Sequence, residues 1–150
     1  MFTDAKGHPR IHFSKFFLGG EDKVDERGYI YKTLPTIMKE NGHTWIDVLK
    51  MDIEGNEFQV MDNLMDAYEG KTLPFSQIQV EFHLASPDMG MDIAGFARFK
   101  KWFERLEKFQ LRPFWSELNL IPTLANPKLL PGYCEYSFIN IAGDHSLLHD

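Results

Sequence analysis

The sequence predicts an α/β domain whose sheet is parallel at first and gains an antiparallel strand at its end. Two features predict it. β-prone and helix-period segments alternate through most of the chain, and two β-like segments then follow one another directly. The length of 150 residues suits one domain over 1–150, with a strand segment at 10–17 and a main body at 33–142.

Arg10 to Phe17 is short, aromatic and β-prone, and it runs into the permissive acidic turn Gly19-Gly20-Glu21-Asp22. From Thr33 to Asn41, Leu34, Ile37 and Met38 fall at helical spacing, Thr33 can cap the start and Gly42 the end. Ile46 to Asp52 reads as a strand. After the tight turn Ile53-Glu54-Gly55-Asn56, the pattern Phe58, Met61, Leu64, Met65, Tyr68 reads as an amphipathic helix. In Gln77 to His83, Ile78, Val80 and Phe82 alternate with Gln79, Glu81 and His83, as a strand requires.

Asp92 can cap a long helix with the apolar stripe Phe96, Phe99, Phe103, Leu106, widened by Trp102 and Phe109. Arg112 to Glu117 and Glu135 to Ile141 are the closing strands. The loop between them is punctuated by Pro122, Pro127, Pro131 and Gly132.

Sixteen basic against 22 acidic side chains leave a net charge of −6, a field that repels phosphate backbones, so nucleic acid is not the expected partner. Cys134 is the single cysteine, so the core must support the fold without an internal disulfide. Met1 to Arg10 carries no apolar leader region, and no stretch reaches the ~18 apolar residues of a membrane span. The compartment stays open.

Ligands of open parallel sheets bind beyond the carboxyl ends of the strands. Three such ends are acidic here: Glu21 and Asp22, Asp52 and Glu54, and Glu81 with His83. Carboxylates at these places also cap the following helices, where each gains ~0.3 to 1 kcal/mol from the helix dipole. Composition alone leaves a metal site, an acid/base pair and a cation pocket open.

The run Asp47-Val48-Leu49-Lys50-Met51-Asp52-Ile53-Glu54-Gly55-Asn56-Glu57 resembles the D-x-L-K-x-D-x-E-G-x-E signature of the FkbM-like class I S-adenosylmethionine-dependent methyltransferases. Further matches keep the family order: Gly19-Gly20 and Asp22, Leu73-Pro74-Phe75, Gln77 to His83, Leu111 to Glu117 with Asn119, and Tyr136 to Asn140. The resemblance implies a Rossmann-like sheet in the order 3-2-1-4-5-7-6 with the seventh strand antiparallel. The strands read here would be strands three to seven. The G-x-G loop of strand one has no counterpart among the eleven glycines, so the resemblance implies the carboxyl-terminal part of a longer or truncated methyltransferase.

The resemblance also implies roles. Gly19, Glu21, Asp22 and Asp52 fall where the family binds S-adenosylmethionine, with Asp22 or Glu21 accepting from the adenine amino group. Asp52 and Glu54 fall beside the reacting methyl, and Lys50 shares a strand face with Asp52. Glu81 and His83 share a face of the next strand, with His83 in reach as a general base. The expected reaction is methyl transfer to an oxygen of a small-molecule or glycan-like acceptor. A non-catalytic binding module is the alternative. A metal-dependent hydrolase using Asp52, Glu54, Glu81 and His83 ranks third, since no H-E-x-x-H motif accompanies them. Without strands one and two, the segment before Thr33 is expected to be the least stable.

Overall fold

The computed structural model describes residues 11–84, 93–121, 124 and 132–145. Their elements are β1 (Phe17–Leu18), β2 (Lys23–Val24), β3 (Ile30–Lys32), α1 (Leu34–Glu40), β4 (Ile46–Met51), α2 (Glu57–Ala67), β5 (Phe75–His83), α3 (Ile93–Lys108), β6 (Leu111–Leu118) and β7 (Tyr133–Asn140). The main sheet runs β4-β5-β7-β6. β4 and β5 are parallel, while β7 is antiparallel to both β5 and β6. This is a mixed α/β fold, and its order follows the 4-5-7-6 end of the methyltransferase sheet.

Period-two alternation divides the main sheet into an apolar and a polar face. Met51, Ile78, Val80, Phe82 and Phe138 are buried and belong to a core shared with Phe58, Met61, Leu64 and Met65 of α2 and with Trp102 and Leu106 of α3. The ring of Phe82 is central: it stacks on Phe58 at 5.3 Å and meets Trp102 edge-on at 5.2 Å. Aromatic pairs of this kind contribute about 0.5 to 1.5 kcal/mol beyond the area they bury. The other face carries Lys50, Gln77, Gln79, Glu81, His83, Glu135 and Glu117 in register across the four strands. Asn140 closes the bottom of the sheet, its amide donating to the carbonyls of Leu73 (3.1 Å) and Phe75 (2.9 Å).

Two expectations need correction. The strand expected over Arg10 to Phe17 is only Phe17–Leu18, and it pairs with β3. Ile11 and Phe13 are exposed, and β1, β2 and β3 form a separate small sheet in the order β1-β3-β2. Asp25 folds the turn inside it by accepting from the backbone N–H groups of Arg27 (3.0 Å) and Tyr29 (2.9 Å). Arg10 lies outside the described residues. The second correction concerns Phe96, which is exposed and not part of the core stripe. At about 100° per residue it sits roughly 120° around the helix from buried Trp102, at the margin of the apolar arc. Asp92, Pro122, Pro127 and Pro131 lie outside the described residues.

The Thr33 side chain caps α1 as the sequence suggests, accepting from the Thr36 N–H, and Gly42 follows the helix at φ 68°. Among the described residues no helix is long and apolar enough to cross a membrane.

Candidate functional site

The turn between β4 and α2 brings the acidic motif together. Glu54 and Gly55 both take left-handed backbone angles, φ 58° and 108°. For a glutamate this costs on the order of 1 kcal/mol or more, so something must hold the turn. Glu57 does so from inside. Its side chain is wholly buried, with Oε1 accepting from the backbone N–H groups of Ile53 (3.0 Å) and Gly55 (3.1 Å) and Oε2 from Gly55 as well (3.1 Å). A carboxylate in the first turn of α2 also meets the positive end of the helix dipole.

His83, the last residue of β5, faces this turn because β4 and β5 are parallel and end at the same edge. Its Nδ1 is 2.9 Å from Glu57 Oε1, an ion-pair distance without the alignment of a hydrogen bond. Its Nε2 is 3.4 Å from the exposed carboxylate of Glu54. The ring packs edge-on against Tyr133 at 5.1 Å, and the residue is only 8% exposed. Asp52 completes the group: one ligand-capable atom from each of Asp52, Glu54 and His83 lies within 4.8 Å of the others.

Glu81 lies one pleat behind His83 and is buried, with Oε1 accepting from the Asn119 amide at 2.9 Å. In register with it across the sheet stand Glu135 and then Glu117. Like charges opposite one another are unfavourable. Lys50 offsets this row by pairing with Glu135 at 3.1 Å. Its ammonium therefore engages Glu135, although Lys50 and Asp52 belong to the same end of the strand.

A cavity of about 270 Å³ opens on the other flank of the turn, lined in part by Gly19, Gly20, Glu21, Tyr31, Asn56 and Gln59. Gly19 is fixed by its N–H donating to Lys32 O (2.9 Å). A side chain at Gly20 would run into Asn63 (2.7 Å) and Gln59 (2.8 Å), which is why a glycine lets this loop rest on α2. Asp22 turns away from the cavity. Its carboxylate accepts from Thr33 N–H (2.6 Å) and Thr36 Oγ1 (2.5 Å), and the Thr36 hydroxyl bond, followed by the Thr33 backbone bond, lowers its pKa below the ordinary 3.8.

Asp52, Glu54 and His83 are thus brought together, Glu81 stands behind them, Lys50 is engaged across the sheet, and Gly19 and Glu21 line the neighbouring cavity. Glu57 carries more of the site than sequence reasoning assigned to it. The available signal was its place in the first turn of α2, directly after a glycine turn, where a carboxylate can reach back to free backbone N–H groups.

The chain matches the Methyltransferase FkbM domain over residues 2–111, which includes both flanks of this turn. It belongs to the FkbM methyltransferase domain family. It is 30% identical over 83 residues to the human "Probable methyltransferase-like protein 24" and 33% identical over 87 residues to its rat counterpart. Each match covers 55% of this chain and 22% of the relative, so the chain spans about a fifth of the curated relatives it matches. No solved structure matches.

Proposed function

We propose that this chain supplies the acceptor-activating end of an S-adenosylmethionine-dependent methyltransferase that acts on an oxygen of a small-molecule or glycan-like acceptor. The observation that carries this reading is the His83 imidazole, held against buried Glu57 with Nε2 turned to the strand-end carboxylates. Glu57 orients the ring, and His83 Nε2 takes the hydroxyl proton of an acceptor placed in line with the methyl. Asp52 and Glu54 hold that hydroxyl by accepting from it or its neighbours.

When bound, the cofactor supplies a methyl group already activated on a sulfonium. The residues present fit its nucleoside end. Around one cavity Glu21 offers the carboxylate oxygen that its 2.7 Å pairing with Lys23 leaves over, Gln59 an amide, and Tyr31 the aromatic surface not covered by the stacked Phe17. The family to which the chain belongs supports the same reaction class over hydrolysis.

The test is transfer of isotopically labelled methyl from S-adenosylmethionine to a panel of hydroxyl acceptors, comparing the native chain with His83→Gln. Removal of a general base is expected to lower the rate by about 10² to 10⁴-fold. Equal rates for the two proteins would remove His83 from the chemistry, and transfer to no acceptor by a cooperatively folded chain would favour the binding-module reading.

A further inference from the structure

We propose that Asp52, Glu54 and His83 form a binding site for one divalent cation that accepts mixed oxygen and nitrogen ligands. Two carboxylates and one imidazole suit Mn²⁺, Fe²⁺, Co²⁺ or Zn²⁺.

The geometry is close to that of a bound ion. Ligand atoms about 2.1 Å from a metal stand no more than about 4.2 Å apart. The three atoms here lie within 4.8 Å, and Asp52 and Glu54 are both exposed, so their side chains can close the remaining gap.

An independent observation concerns the histidine. His83 is 8% exposed and its Nδ1 has no hydrogen-bond partner, yet it lies 2.9 Å from wholly buried Glu57. A metal-ligating histidine commonly donates its far ring N–H to a carboxylate, and Glu57 stands at the distance for that bond, so that a change of alignment alone would complete it. The other nitrogen, Nε2, faces Glu54.

Charge points the same way. Asp52, Glu54 and Glu57 surround one imidazole, and among the described residues no lysine or arginine pairs with Asp52 or Glu54. Lys50, the nearby cation of the motif, is held by Glu135.

The site stands on this geometry, while its use rests on the methyl-transfer reading. The base role proposed for His83 belongs to the metal-free chain; with the cation bound, Nε2 is a ligand, the cation lowers the pKa of an acceptor hydroxyl bound to it, the proton passes to water, and the oxygen keeps the bonding pair with which it attacks the methyl.

The experiment titrates Mn²⁺ into the full chain and follows loss of the sharp paramagnetic resonance signal of the free ion. It compares the native chain with Glu54→Gln, Asp52→Asn and the remote Glu26→Gln. The two site residues are exposed, so both variants are expected to fold, as a thermal melt of each would verify. The proposal expects one saturable ion in the native chain and in Glu26→Gln, with binding at least ~10-fold weaker in each site variant. No saturable binding at millimolar Mn²⁺, or unchanged binding in Glu54→Gln, would overturn it.

A melt of the same samples with S-adenosylhomocysteine separates the two claims. A nucleoside-induced shift without Mn²⁺ binding overturns the cation site and leaves the methyl-transfer reading standing. Mn²⁺ binding without that shift supports the site and counts against the cofactor reading.

Discussion

His83 Nδ1 lies 2.9 Å from Oε1 of Glu57, and neither side chain has appreciable access to water. The contact joins the end of β5 to the start of α2, and the same carboxylate ties down the turn that carries Glu54. Site and scaffold therefore share one buried group. Glu57→Ala would leave the backbone N–H groups of Ile53 and Gly55 without their acceptor and remove the carboxylate beside His83, and is expected to cost about 3 kcal/mol. Glu57→Gln keeps one acceptor oxygen and should cost roughly half as much. Urea denaturation of the three proteins checks the order; a neutral Glu57→Ala would contradict it.

Glu54 holds a strained backbone angle with a side chain that is 88% exposed, so its conformation contributes strain and its side chain little packing. Glu54→Gly is expected to raise stability by about 0.5 to 1 kcal/mol while lowering methyl transfer. Stability that falls on this change would mean the carboxylate contributes to folding more than its exposure allows.

Asp22 links acid stability to the cap of α1. Its folded pKa is lowered, so the stability it contributes is fully present above the ordinary value of 3.8 and is lost as pH falls through the lower folded value. Asp22→Asn should therefore melt lower than the native chain at neutral pH, and the two melting curves should converge in strong acid. A gap that stays constant across this range would exclude the linkage.

The small β1-β3-β2 sheet meets the rest of the chain through Leu18, which packs against the core, through Gly20, whose carbonyl accepts from the Asn63 amide, and through the Asp22 and Lys32 contacts to α1. Phe13, Phe17 and Val24 remain exposed. Amide hydrogen exchange should be fast in residues 11–32 and slow in Ile78 to Phe82, whose side chains lie in the core. Comparable protection in the two regions would refute this ordering.

Strong periodicity made the main sheet and its helices legible. β5 alternates in residue type from Gln77 to His83, α2 follows a glycine turn, and the ends of α1 carry the cap and stop residues that the sequence displays. The small sheet was not legible, because Lys23–Val24 and Ile30–Lys32 are too short for a period to register and are held by Asp25 and by the stack of Phe17 on Tyr31. Phe96 carried the right residue type at the edge of the right face, and only packing could place it outside. The reading of strand ends grouped Asp52, Glu54 and His83, but the role of Glu57 depended on a turn whose left-handed angles no pattern of residue types specifies.

The central claim is that this chain binds the methyl donor's nucleoside and uses it. The most direct measurement is a thermal melt of the purified chain with and without S-adenosylhomocysteine at about a hundred times its dissociation constant. Binding to the native state alone would add about 2.7 kcal/mol and raise the midpoint by roughly 5 to 10 °C. A cooperative melt with a midpoint that does not move at millimolar nucleoside would contradict the account.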